Sequence, residues 1–338
     1  MRNGVSAVVV VEDASQIGAA RRAAVSIAEA AGFEQSDRSD IGIVATEAAS
    51  NIVRHAGRGE MLLRPVDGPG LELIALDSGP GMRDVQACLT DGYSSRGSIG
   101  GGFGAMRRLA REFSIWSAPD QGTALVCRFF IHPKSTGNGA GPSVAGLALP
   151  HPGETACGDG WVTAMEPDGR ALLVVDGLGH GPQAEDAAAT AIRLFQEEPR
   201  AAPERMLGVL HAGMHGTRGA AVAIAAVDSR RRELRFAGVG NISGHLVTGE
   251  KTRSLVSHNG TVGHQMRKAQ EFVYPWETGT LLLLHSDGLA GHWKLDRYPG
   301  LARQDPALIG AVLYRDHARR RDDVCVVVCR LSADEITP

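Results

Sequence analysis

Residues 133–153, PKSTGNGAGPSVAGLALPHPG, constrain this chain more than any other stretch. They are rich in Gly, Pro and Ser. The stretch opens polar over 134–143 and then tightens into the apolar run 144–149. Such a composition cannot sustain a helix or bury a core, and it reads as a linker feeding a first strand. The chain therefore divides in two, which suits its 338 residues. Acid, amide and glycine motifs suited to a nucleotide precede the linker, and Asp-Gly motifs suited to divalent metals follow it. With 43% hydrophobic and 22% charged residues, each half can bury its own core.

Several classes are disfavoured. The net charge is −3 and no polybasic run is present, so nucleic acid is not the expected partner. The longest apolar runs, 8–11 and 281–284, are far too short to cross a bilayer. Glu12 and Asp13 close the first of them, so no signal-peptide pattern forms. Cys88, Cys127, Cys157, Cys325 and Cys329 show no Cys-x-x-Cys spacing, which fits reduced thiols and a cytoplasmic location. The oligomeric state stays open.

In the first half, 8–11 reads as a strand, and 15–31 as an Ala-rich helix ended by Gly32. Ser39 or Asp40 is expected to cap a second helix with apolar residues Ile41, Val44, Ala45, Ala48 and Ile52 at helical spacing. Glu47 and Asn51 lie four apart on it, followed by His55, so they share a face. An amide oxygen is a neutral magnesium ligand, and a carboxylate can accept a proton from an incoming hydroxyl; a solvated polar face would look the same. Strands at 61–63 and 71–76 lead into Asp77-Ser-Gly79-Pro-Gly81. A strand-end carboxylate beside glycines suits an adenine amino group, or is an ordinary turn. Gly97-Ser-Ile-Gly100-Gly101-Gly102-Phe-Gly104 precedes helical residues 105–111, so backbone N–H groups and a helix N-terminus can face phosphate. Thr123, entering the strand 124–130, could bond a phosphate or the adenine-site acid.

The texts TEAASNIVRHA, LDSGPGM, DGYSSRGSIGGGFGAMRRLAREF and QGTAL, in this order over about residues 5–131, resemble the GHKL ATPase superfamily. Within it they are most like the anti-sigma-factor serine kinases, especially the RsbT-like switch kinases of bacterial stress signalling. The resemblance implies a two-layer α/β sandwich over 1–132 that binds ATP and Mg2+. It implies Asn51 as magnesium ligand, Glu47 as base, Asp77 for adenine, and Gly79, Gly81, Gly100, Gly102 and Gly104 for the nucleotide loops. No phosphoacceptor histidine domain is visible, and His55 reads as a helix-face residue.

After a linker at 133–144, the second half opens with Gly153-Glu154 and Gly158-Asp159-Gly160 before a strand at 161–165. Strand 171–175 ends in Asp176-Gly177-Leu-Gly179-His180-Gly181. Pro182 starts a helix to about 196, and 203–216 reads as another. Strands follow at 219–227, 233–238, 244–247 and 281–285, the last running into Ser286-Asp287-Gly288. Arg321-Asp322-Asp323 precedes the closing strand 324–330. Carboxylates at strand ends converge on one sheet edge and repel one another unless a cation is bound. All-oxygen donors favour magnesium or manganese over zinc. A single Asp-Gly is usually a turn; four in this order are not well explained as turns.

The texts GETACGDGW, VVDGLGHG, LLLHSDGL and RDDVCVVV, over about 145–332, resemble the SpoIIE-type branch of the PPM metal-dependent Ser/Thr phosphatases, in a short RsbX-like form. The resemblance implies a four-layer αββα sandwich and two Mn2+ or Mg2+ ions. It implies Asp159, Asp176, the Gly177 carbonyl, Asp287 and Asp322 as ligands. Asp323 is the weaker candidate, and His180 reads as loop-shaping. Cys325 stands where such phosphatases usually carry threonine, which leaves the metal set intact.

The whole is thus expected to be an α/β (α+β) protein acting as a bifunctional stress-signalling regulator. It would phosphorylate and dephosphorylate Ser/Thr on STAS-domain antagonist or scaffold proteins, with a sigma factor or a downstream phosphatase as further possible partners. Two alternatives stay open: a phosphatase whose first half only senses nucleotide or docks a partner, and an anti-sigma factor that sequesters a sigma factor.

Overall fold

In the computed structural model, the structure describes residues 6–66, 69–89, 102–131 and 143–333. The chain divides into two compact units. The first is Met1–Gly141 with Lys294–Arg315; the second is Pro142–Trp293 with Asp316–Pro338. The α/β class expected from sequence is found in both.

In the first unit, β1 (Ala7–Val11), β2 (Gly59–Val66), β3 (Gly70–Asp77), β4 (Glu112–Ser117) and β5 (Thr123–Phe130) form an antiparallel sheet ordered β1-β2-β3-β5-β4. Four helices accompany it: α1 (Ala14–Ala30), α2 (Gln35–Asn51), the short α3 (Val85–Cys88) and α4 (Gly102–Leu109). Because side chains alternate along a strand, one sheet face presents Met61, Leu63, Leu71, Leu73, Ala75, Leu125, Cys127 and Phe129. These pack with Ala20, Ala24, Ala28, Ile41, Val44, Ala45, Ala48 and Met106 of the helices in one core.

Local signals explain the helix ends. Asp13 caps α1 and Gln16 reaches back in a capping box, while Gly32 takes the left-handed conformation (φ 90°) after its end. The expected cap of α2 at Ser39 or Asp40 is corrected. The helix already starts at Gln35, and the Ser39 hydroxyl donates to the Gln35 carbonyl inside it. After Asn51 the helix widens into a π-turn, Ile52–Ala56, which Gly57 ends by donating to the Ile52 carbonyl.

The opposite sheet face is also buried, and sets an ionic cluster among apolar residues such as Leu62, Ile74 and Val126. Glu72 accepts from Arg64 (2.7 Å) and Arg128 (2.6 Å). Arg128 also pairs with Asp305 through both terminal nitrogens, at 2.7 and 2.9 Å. Asp305 belongs to Lys294–Arg315, which also meets the sheet where Trp116 donates to the Pro299 carbonyl and the Tyr314 hydroxyl to Glu60. Within this segment α7 (Pro306–His317) begins, and Asp305 accepts from the Ala307 N–H at its start.

The second unit contains two five-stranded antiparallel sheets. One comprises β7 (Asp159–Glu166), β8 (Gly169–Gly177), β9 (Ala220–Asp228), β10 (Glu233–Val239) and β13 (Phe272–Pro275), ordered β13-β10-β9-β8-β7. The other comprises β6 (Val144–Leu149), β11 (Ser243–Thr248), β12 (Lys251–Ser254), β14 (Leu281–His285) and β15 (Val324–Arg330), ordered β12-β11-β14-β15-β6. The helices α5 (Pro182–Glu197) and α6 (Pro203–Gly213) pack on the first of these sheets, burying Ala187, Ala188, Ala191, Phe195, Met206, Leu207 and Leu210 against Leu173, Val175, Val222 and Ile224. Gly181 at φ 80° and Pro182 at the first helical position start α5 immediately after the β8 turn.

Candidate functional site

Asp77 is the last residue of β3, opposite Thr123 of β5. Its Oδ1 accepts from the backbone N–H of Gly79 (2.8 Å) and of Thr123 (3.2 Å). Burial pushes its carboxyl up, partly offset by these two bonds and by Arg315 and His55. The Thr123 contribution to the acid is its main chain; its hydroxyl lies 3.2 Å from that of Ser117, which itself bonds the Gly122 carbonyl. Gly81, at φ 66°, has no room for a Cβ, which would fall 1.9 Å from the Ala118 carbonyl oxygen. Arg315 donates to the Asp77 carbonyl at 2.7 Å. No sequence motif had pointed to it.

Glu47 and Asn51 sit on α2, next to the start of α4. A Cβ at Gly102 would lie 3.0 Å from Glu47 Oε2 and 3.8 Å from both Asn51 side-chain polar atoms. The Nδ2 of Asn51 is buried with no hydrogen-bond partner among the described residues. A buried amide left unpaired is costly, so a polar ligand at this point fits the donor set. Gly104 lies in the first turns of α4; Gly100 lies outside the described residues. The π-turn carries His55, exposed, out of the α-helical register that holds Glu47 and Asn51.

In the second unit, Asp159 opens β7 and Asp176 lies near the end of β8, directly opposite in the strand register. Asp287 follows β14, and Asp322 stands two residues before β15. Burial pushes Asp159 well up, and Asp176, Asp323 and Asp322 add repulsion. Asp176 is pushed up to about 7 by burial and then by Asp287, Asp322 and Asp323. The expected carboxylates therefore act on one another electrostatically. Among the described residues no three His, Cys, Asp or Glu side chains already close on a common point. Asp287 and Asp322 line one pocket, and an all-oxygen, mutually repelling donor set fits divalent cations of the magnesium or manganese type. Gly177 leaves no room for a side chain, since a Cβ would lie 2.4 Å from the Ala184 carbonyl oxygen.

Two supporting residues, Ser286 and Asn241, escaped the sequence reading. The Ser286 hydroxyl donates to Asp159 Oδ2 at 2.5 Å and accepts from the Cys325 N–H at 2.9 Å. Cys325 thus acts here through its main chain, which any residue would supply, and its thiol is buried. Asn241, in the β10–β11 turn, donates to Asp287 at 2.8 Å. Asp323 receives the N–H groups of His151 (2.6 Å) and Gly158 (2.7 Å), so its carboxylate braces loops. His180 pairs with Glu154 and stacks on His151, ring centroids 5.0 Å apart.

Comparison with known proteins agrees with this division. Residues 10–129 match the histidine kinase-like ATPase domain model, and 166–332 match the model of stage II sporulation protein E (SpoIIE). The serine/threonine-protein kinase RsbT of Bacillus subtilis is 36% identical over 112 residues, covering 32% of this chain and 84% of RsbT. The phosphoserine phosphatase RsbX of the same organism is 27% identical over 141 residues, covering 40% of this chain and 69% of RsbX. A chain of the solved structure described as "The bacterial stressosome: a modular system that has been adapted to control secondary messenger signaling" superposes with a TM-score of 0.52 at 30% identity, covering 55% of this chain and 98% of that one. Among the described residues no helix is long and apolar enough to cross a membrane. The chain belongs to the histidine kinase-like ATPase family in its first half, where it is homologous to RsbT, and carries in its second half a SpoIIE domain similar to RsbX.

Proposed function

We propose that the chain is both writer and eraser of one kind of mark: its first half transfers phosphate from ATP to a protein serine or threonine, and its second half hydrolyses the phosphoserine or phosphothreonine. The observation that carries the eraser is the Asp159–Asp176 pair, directly opposed in the strand register with Asp159 buried and Asp176 half-buried, and with Asp287 and Asp322 adding charge nearby. Asp159, Asp176, the Gly177 carbonyl, Asp287 and Asp322 would hold two Mn2+ or Mg2+ ions. Bound there, the ions supply an acidified water and offset a phosphate charge of roughly −1.5 to −2. Ser286 holds the Asp159 carboxylate in place, and Asn241 does the same for Asp287.

For the writer, Asn51 would hold Mg2+, Asp77 the adenine amino group, and Gly79, Gly81, Gly100, Gly102 and Gly104 the nucleotide loops. The place of Glu47 beside the start of α4 supports a base acting on the incoming hydroxyl. The similarity to RsbT, RsbX and a stressosome chain supports STAS-domain proteins as substrates and a cytoplasmic setting. The test is incubation of the full chain with labelled ATP, magnesium and a STAS-domain partner, as wild type and as Asp176→Ala. Label should accumulate on a partner Ser or Thr with Asp176→Ala and leave as inorganic phosphate with wild type. A partner that never takes up label overturns the kinase half of the reading.

A further inference from the structure

Beside Asp287 and Asp322 opens a pocket of about 320 Å3, and its other two lining residues are Arg319 and Arg321. We propose that Arg319 and Arg321 form the phosphate-binding wall of the substrate pocket, gripping the phosphate of a phosphoserine or phosphothreonine side chain while the carboxylates opposite hold the cations. The inference rests on the phosphatase reading and adds the residues that recognise its substrate.

Four observations carry it. The pocket is divided by charge, with two acids and two guanidiniums around one opening. A phosphomonoester dianion bridging cations and arginines satisfies both sides, since a guanidinium matches phosphate oxygens with paired N–H donors. Both arginines are exposed, and among the described residues neither pairs with a carboxylate at salt-bridge distance. Their donors are thus open to a ligand.

The backbone that carries them is pinned to the Asp287 loop. The Ala290 N–H donates to the His317 carbonyl, the Arg319 N–H donates to the Gly288 carbonyl at 2.8 Å, and Leu289 bridges Ala318. On its other side Gly288 lets the Asp323 backbone come close, since a Cβ there would lie 1.9 Å from the Asp323 carbonyl oxygen. Between the two arginines, Arg320 takes the left-handed conformation at φ 57°, which a side chain of its size rarely adopts. That turn leaves both flanking residues, rather than one, lining the pocket. Strain of this kind persists where surrounding contacts hold it and concentrates at ligand sites.

The experiment uses the full chain with Arg319→Ala, Arg321→Ala, the double alanine variant and the double lysine variant. Manganese-dependent hydrolysis of a phosphoserine peptide gives KM and kcat separately, and calorimetry with inorganic phosphate and Mg2+ gives binding without turnover. Manganese titration, followed by thermal unfolding, reports the cation site. The double alanine variant should raise KM about tenfold or more and weaken phosphate binding by a similar factor, with manganese affinity unchanged or tighter. Lysine should restore part of both. Unchanged KM and phosphate binding in the double alanine variant would overturn the proposal. So would a loss that follows weakened manganese affinity, because the arginines would then act on the acids. If the wild-type chain hydrolyses no phosphopeptide, the phosphatase reading fails, while calorimetry still decides whether these arginines bind phosphate.

Discussion

Asp159 and Asp176 stand opposite each other across β7 and β8, the first buried and the second half-buried. Like charges directly opposed on a sheet destabilise it. The fold keeps this pair at the edge where Asp287 and Asp322 also contribute charge, so the unit holds electrostatic strain that a bound cation would relieve. Asp176→Asn should abolish manganese-dependent hydrolysis and yet raise the thermal midpoint of the metal-free second unit by about 2–4 °C, as relief of roughly 1 kcal/mol would. Added manganese should stabilise the wild type more than the variant. Calorimetric scans with and without manganese check this; a metal-free variant that melts below the wild type would show that the opposed pair is not strained.

Ser286 connects Asp159 to β15 through one hydroxyl. Outer partners of ligating carboxylates commonly set metal affinity by 10- to 100-fold. Ser286→Ala should weaken manganese binding within that range, measured by titration calorimetry, while Ser286→Thr should retain more of it.

Asn51 and Glu47 should separate. Asn51→Ala should weaken Mg-ATP binding. Glu47→Gln should leave binding within a few-fold and slow transfer by about 10²–10⁴, the usual range for a general base. Equilibrium nucleotide binding and single-turnover transfer to a STAS-domain partner separate the two effects.

Glu72 gives the first unit an acid limit. Burial alone would raise its carboxyl, but Arg64 and Arg128 outweigh burial and hold it down at about 2 instead of 4.5. A depressed carboxyl contributes stability that is present above its unfolded value and lost as pH falls through its folded one. The loss therefore runs from about pH 4.5 to about pH 2 and amounts to about 3 kcal/mol. Hydrogen exchange of β3 and β5 amides over this range should show protection falling with acid. Glu72→Gln should remove most of that dependence and cost about 3–5 kcal/mol at neutral pH, because it removes the buried carboxylate that Arg64 and Arg128 share.

The strands and the acidic motifs were legible because their signals are local: apolar runs of four to eight residues, and Asp at each run's end. Helix α7 was not, because Pro306 through Tyr314 are all buried, so no polar stripe marks its face. Strand β12 was missed for the opposite reason: all four residues of Lys251–Ser254 are exposed and show no alternation. The start of α2 at Gln35 was hidden because no side chain caps it. Ser286, Asn241 and Arg315 serve partners 127, 46 and 238 residues away, contacts that no local pattern announces. The clustering of Lys294–Arg315 with the first unit is of the same kind, made by Asp305 and Tyr314.

The central claim is that both halves act on one partner. A linker at 133–144, a stretch that falls mostly outside the described residues, would hold the two activities at an effective concentration on the order of millimolar near the same residue. The direct measurement is an intact-mass time course of a STAS-domain partner with ATP, magnesium and manganese, using wild type, Asp176→Ala and Glu47→Ala. The account predicts partial phosphorylation with continuous ATP consumption for wild type, near-complete phosphorylation for Asp176→Ala, and none for Glu47→Ala. If Asp176→Ala leaves the partner's phosphorylation at the wild-type level while wild type dephosphorylates a different phosphoprotein, the two halves serve separate substrates and the claim is contradicted.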